Sequence, residues 1–200
     1  MHILKALQVA VQCSHKQAKQ WLRQGRVQVN GETISHFTMA VDGNWDQVTL
    51  DQEPLTIPSH HYWVLNKKPG YLSARRDPNY PSVLDLVEKH IDTSQLSIVG
   101  RLDRDACGIV LLTDNGQLHY VLENPYFSVA KTYRVIVNGP IAEEAVDYFN
   151  LGVRFLDGYQ CQPAQLKIIS TSQQESTAEV TIIEGKRHQV KKCSLVLGLR

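Results

Sequence analysis

Apolar and polar positions divide the first quarter of the chain into short, readable pieces. Ala18, Trp21 and Leu22 share one face at helical spacing between Ser14 and Gln24. Ser14 offers an N-cap and Gly25 stands where a C-cap glycine belongs, so the pattern predicts a helix. Val27-Gln28-Val29 then alternates and runs into Asn30-Gly31, a strong signal for a two-residue hairpin turn. After a loosely patterned stretch to Trp45, Val48-Thr49-Leu50 reads as a further strand. The residues before Ser14 are mildly apolar but are interrupted by Lys5, Gln8 and Gln12, and no small-residue cleavage site follows them, so no signal peptide is read. Over 51–59, where Pro54 and Pro58 fall and apolar residues thin out, the chain reads as a linker.

Beyond it, β-rich runs lie between turn residues at 62–65, 98–102, 109–113, 133–137, 164–169 and 178–183. Helical patterns fall at 82–90, which opens with Ser82 and a capping-box Asp85, and at 117–123, 141–150 and 188–197. Strands outnumber helices in a mixed order. This predicts an α+β fold with a mainly antiparallel sheet and two domains, 1–55 and 60–200. Residues 27–31 and 135–139 spell similar strand-turn fragments, but their surroundings differ and no internal repeat is read.

Charge sharpens the picture only when it is placed. The 200 residues carry a formal net charge of +1, which argues against wrapping nucleic acid by bulk charge and leaves a local basic face to be sought. Lys16, Lys19 and Arg23 recur at i, i+3 and i+7 along the first helix, roughly opposite its apolar face, and Arg26 extends the stripe. By pattern alone this is either a solvated helix face or a phosphate-contacting one. The four cysteines, Cys13, Cys107, Cys161 and Cys193, are scattered without metal-ligand spacing. They read as free thiols of a reducing cytoplasm, and no metal site is expected. Apolar runs such as 109–112 are far too short to cross a bilayer, so a soluble, cytoplasmic protein without membrane contact is expected.

The run from Ser14 to Gly31 (SHKQAKQWLRQGRVQVNG) resembles the S4 domain, a small RNA-binding module of ribosomal proteins and RNA-modifying enzymes. The resemblance covers about residues 1–55. It implies that Lys16, Lys19, Arg23 and Arg26 meet RNA phosphates, contacts that give affinity and register without choosing sequence.

The run from Ile98 to Gly116 (IVGRLDRDACGIVLLTDNG) places a polar, charged loop between two apolar strands. For Asp103 by itself, a turn aspartate or an ion pair with Arg101 or Arg104 is the ordinary reading. The whole string, however, closely resembles the glycine-arginine-leucine-aspartate motif of the pseudouridine synthases. Lys131-Thr132-Tyr133 and the run from Glu184 to Lys192 (EGKRHQVKK) match two further motifs of that family in order. With the leading S4-like segment they point to the bacterial ribosomal RNA branch. Residues 70–86 and 184–192 look most like the small-subunit, 16S rRNA enzymes.

The resemblance implies isomerisation of one uridine of ribosomal RNA to pseudouridine, without cofactor. Asp103 would be the essential carboxylate, as nucleophile on the nucleotide or as base on the ribose. Tyr133 would stack on the flipped uracil, and Lys191 would pair with Asp103 and favour its ionised form. Arg101 would hold RNA or fill the vacated stack. Lys186, Arg187 and Lys192, with Lys67, Lys68, Arg75 and Arg76, are the remaining basic candidates for the RNA track. Asp105 and Asp114 carry the same charge as Asp103 away from the motif's carboxylate position. The expected partner is ribosomal RNA, 16S favoured, free or in an assembling particle, and a monomer is expected. Two alternatives stand beside this: a 23S rRNA target, or a non-catalytic RNA-binding protein with an incomplete synthase domain. The second arises because the family core normally runs on past the last motif, so this chain is expected to be shorter than the family at its C-terminus.

Overall fold

A computed structural model describes residues 1–196. The chain folds as two compact units, one over Met1–Tyr120 and the other beginning at Val121.

The first unit starts with a helix that periodicity over Ser14–Gln24 did not reach, α1 (Ile3–Val11), followed by α2 (His15–Arg23). Ile3, Ala6 and Leu7 are buried and Lys5 is exposed, so Lys5 interrupts the apolar run only in sequence and occupies the outer face, while Gln12 caps the helix. A capping box starts α2: Ser14 Oγ accepts from the Gln17 N–H, and Gln17 Oε1 accepts from the Ser14 N–H at 2.9 Å. Strands β1 (Val27–Val29), β2 (Glu32–Thr33), β3 (Val48–Leu50) and β4 (Glu53–Leu55) form an antiparallel sheet in the order β2-β1-β3-β4. Asn30 and Gly31, at φ 53° and 85°, make the expected tight turn. The stretch expected as a linker differs from that reading. Asp51 and Gln52, both at positive φ, turn the chain back so that β4 pairs with β3, and Ile57 is buried in the same core as α1 and α2. Pro54 is tolerated because β4 is an edge strand with no outer neighbour to which it would donate.

The unit continues with β5 (Tyr62–Lys67), β6 (Ser97–Val99) and β7 (Gly108–Thr113), an antiparallel sheet with β7 in the middle. Val110 and Leu112 on β7 and Leu96 are buried, with Leu84, Val87, Ile98 and Leu102 packed against them. The helix expected over 82–90 is cut to one 3₁₀ turn, Val83–Leu86. Ser82 and Asp85 do form the capping box, but Val87 is already extended and turns inward to the core. A polar network joins this sheet to the preceding sheet domain. Asp42 accepts from the Tyr62 hydroxyl and from the N–H groups of Asn44 and His60. Asp114 accepts from the His60 and His61 rings at 3.0 and 2.7 Å and from the His61 N–H at 2.9 Å.

After α3 (Gly116–Glu123), the second unit holds β8 (Lys131–Asn138), α4 (Ala145–Leu151), β9 (Gln165–Ser170), β10 (Glu175–Ile182) and α5 (Gln189–Val196). Its antiparallel sheet runs β8-β10-β9, and the central strand buries Ser176, Ala178, Val180 and Ile182 at period two. The helix expected over 141–150 begins only at Ala145, and that expected over 188–197 is α5, with Leu197 outside the described residues. Every pairing between strands named above is antiparallel, in a chain of mixed helix and strand. Among the described residues no helix is long and apolar enough to cross a membrane.

Candidate active site

Asp103 lies in the loop 100–107, which leaves β6 at Gly100 and enters β7 at Gly108. Both glycines take positive φ, 81° and 132°, so the chain leaves and re-enters the sheet through backbone that a side chain would strain. Between them the loop is fastened from below. Lys67, the last residue of β5, is completely buried, and its ammonium donates to the carbonyls of Lys68 (3.1 Å), Arg104 (3.2 Å) and Ala106 (2.6 Å). The Gly70 N–H also donates to the Arg104 carbonyl at 2.7 Å. On the other side of Asp103, the Ser73 hydroxyl both accepts from the Leu102 N–H and donates to the Leu102 carbonyl, each at 3.1 Å. Residues 102, 104 and 106 are therefore anchored, and the half-buried Asp103 rides on a loop with little freedom to move.

Lys67 corrects one expectation. It cannot be part of an RNA track, because burial and three carbonyl partners consume it. Burial lowers its pKa, while the nearby Cys107, Asp105 and Asp103 oppose that fall. Strand alternation carried the clue, since Lys67 falls on the face of Leu65, toward the core. Arg75 is likewise structural: its guanidinium donates to the carbonyls of Leu96, Thr93 and Ser94. Arg101 is exposed and lines a surface depression beside the loop, Asp105 is exposed, and Arg104 stacks 4.3 Å above the Tyr80 ring centre.

In the second unit Tyr133 sits on β8 opposite Val180 of β10, half-buried against that unit's core. Lys191 is exposed on α5. The turn that leads into α5 is organised by a residue that sequence reasoning had placed only within a motif. Glu184 is 5% exposed, and its carboxylate accepts from the Tyr159 hydroxyl (3.0 Å), the Gln162 N–H (2.9 Å) and Gln189 Nε2 (2.7 Å). Gln189 Oε1 in turn accepts from the Lys186 N–H at 2.9 Å, which closes the turn. Lys186 stands 4.9 Å over the Tyr159 ring, Arg187 is exposed, and Lys192 pairs with Asp157 at 3.1 Å. Cys161 and Cys193 are buried free thiols, and burial pushes Cys193 up to about 12, which leaves little reactive thiolate.

On α2, Lys16 and Arg23 are exposed, Lys19 is half-buried, and all three line one depression of about 560 Å³. Lys19 and Arg23 flank the Phe37 ring at 5.6 and 5.5 Å. Arg26 departs from the stripe. Its guanidinium is held in a fork by both oxygens of Asp51, 25 positions further along the chain.

Residues 61–195 match the family described as RNA pseudouridylate synthase. An uncharacterized RNA pseudouridine synthase of Bacillus subtilis is 33% identical over 185 residues, 92% of this chain and 77% of that protein. The ribosomal small subunit pseudouridine synthase A of Escherichia coli is 33% identical over 179 residues, 88% of this chain and 75% of its own length. A crystal structure of a pseudouridylate synthase, 29% identical, superposes with a TM-score of 0.65 over 100% of this chain and 84% of its own.

Proposed function

This chain belongs to the RNA pseudouridylate synthase family of isomerases, and on that premise we propose that it converts one uridine of 16S ribosomal RNA to pseudouridine. The observation that carries the mechanism is the fastening of the Asp103 loop by Lys67 and Ser73. Breaking a glycosidic bond and rejoining the base through carbon changes no oxidation state, and the family chemistry asks for one carboxylate held in place. Pre-positioning lowers the entropy cost of reaching the reactive geometry. Asp103 acts as nucleophile on the nucleotide or as base on the ribose. Tyr133 is the ring that stacks on the flipped uracil, and Lys191 is the cation of the reaction. Flipping costs a few kcal/mol, which stacking and cationic contacts offset.

Residues 1–55 act as an S4-type RNA-binding domain, and residues 60–200 as the catalytic domain. Lys16, Lys19 and Arg23 supply the phosphate contacts of the first, in a cytoplasmic setting where ribosomal RNA is made. Arg101, Lys186, Arg187 and Lys192 continue the RNA track. The preference for 16S rests on the small-subunit relatives. The test is incubation with 16S and 23S transcripts and with assembling subunits, followed by mapping of pseudouridine. A single new pseudouridine in 16S supports the reading. Modification of 23S alone overturns the substrate assignment, and RNA binding without any pseudouridine overturns the catalytic one.

A further inference from the structure

The open depression beside the Asp103 loop measures about 430 Å³ and is lined by Ser73, Arg75, Ser97, Ile98, Arg101 and His119, together with Ala74. This is room for a group the size of one nucleotide. Two of its walls are cationic. Arg75 is fixed by its bonds to the carbonyls of Leu96, Thr93 and Ser94, so its charge stays in the wall. Arg101 stands on the catalytic loop itself, exposed and two residues before Asp103. His119 enters from α3, half-buried, and brings a ring N–H donor. Among the described residues that line the depression there is no carboxylate. Ser73 links it to the chemistry, since this lining residue grips the backbone of Leu102, next to Asp103, through its hydroxyl. An anion seated here would lie against the side chain that positions the catalytic loop.

We infer that this depression binds one phosphodiester of the RNA next to the target uridine, with Arg101 and His119 as donors and Arg75 as a fixed charge. The inference rests on the reading of the chain as an enzyme acting on RNA. It adds His119, a residue outside every motif that points to that activity. A phosphate held by Arg101, two residues before Asp103, fixes the register of the strand, so that the target sugar and not its neighbour meets the carboxylate. The site is small and one of its charges, Arg75, is set before RNA arrives, so part of the ordering is already done on binding.

The test uses the full chain and a short segment of 16S RNA that it binds, spanning the candidate target uridine and made with a neutral methylphosphonate at one linkage at a time. In the parent protein one linkage next to the target should be sensitive, its neutralisation weakening binding roughly tenfold. In the Arg101→Ala/His119→Ala double variant the same neutralisation should change nothing, and log K against log salt should lose about 0.7 from its slope per phosphate released. His119→Gln, which keeps a donor, should retain part of the sensitivity. Thermal melts of the variants should match the parent, because neither side chain is buried in a core. Equal sensitivity in parent and double variant, or no sensitive linkage at all, overturns the inference. If the parent binds with the expected linkage effect but makes no pseudouridine from any ribosomal RNA, the phosphate site stands and the functional reading falls.

Discussion

The ammonium of Lys67 lies 2.6 Å from the carbonyl oxygen of Ala106, at the bottom of the loop that carries Asp103. A cation is costly to bury unless its donors are met, and here Lys68, Arg104 and Ala106 each offer a carbonyl. The fully buried charge thus serves as a clamp on the loop.

Replacing that clamp should damage stability and turnover together. Lys67→Met keeps the aliphatic stem but strands the carbonyls beneath the loop, and we expect a loss of at least about 2 kcal/mol. Urea melts check the first effect, and kcat on the modified RNA checks the second. An unchanged melt with unchanged kcat would remove the clamp from the mechanism.

Asp103→Asn should abolish pseudouridine formation, lowering turnover by at least roughly 10²-fold, while RNA binding and melting stay near the parent's. Asp105→Asn removes the same charge at an exposed position two residues on and should leave turnover intact. Pseudouridine mapping after a fixed time separates them. Comparable rates in Asp103→Asn and parent would sink the assignment.

Asp114 has a different fate from Asp105, because it accepts from the rings of His60 and His61 and from the His61 N–H. Burial would raise its pKa, but the His61 ring, the His61 N–H and the His60 ring outweigh it and hold the carboxyl below its ordinary value of 3.8. A depressed pKa in the fold contributes stability above the unfolded value, lost as pH falls through the folded one. Asp114→Asn should therefore lower Tm at neutral pH by an amount matching about 1–3 kcal/mol, with the gap from the parent closing as pH falls below 3.8. Scanning calorimetry across that range reads the gap. A gap that stays constant down to strong acid would contradict the argument.

Glu184 should act through the turn it holds. Glu184→Leu leaves the Tyr159 hydroxyl, the Gln162 N–H and Gln189 Nε2 without their acceptor, at a cost of about 1–3 kcal/mol. Glu184→Gln keeps an oxygen for the Gln162 and Gln189 donors and should recover much of both stability and kcat. If both variants lose kcat equally at equal stability, the carboxylate charge itself matters and the scaffold role is insufficient.

The charges of α2 should separate by their partners. Alanine at Lys16, Lys19 and Arg23 together should weaken RNA binding and flatten its dependence on salt, whereas Arg26→Ala should do so far less, since Asp51 already holds that guanidinium. Binding titrations at several salt concentrations test both. An equal effect of Arg26→Ala would show that the Asp51 fork opens to RNA.

What the sequence determined by itself is local. The cap at Ser14, the Asn30-Gly31 turn, the alternating strands and the loop between Ile98 and Thr113 follow from propensity and period, which act over a few residues. The family resemblance also lives in such short strings. The tertiary structure decided what each charge faces. Lys67 meets Ala106 across 39 positions and Arg26 meets Asp51 across 25, and no local pattern states such pairings. The same holds for β4, which becomes a strand only because β3 offers an edge, and for 82–90, where Val87, extended and packed against the core, ends the helix after one turn. Side-chain chemistry is written in the sequence, but whether a lysine reaches RNA or fastens a catalytic loop depends on burial and distant carbonyls, and those exist only once the chain has folded.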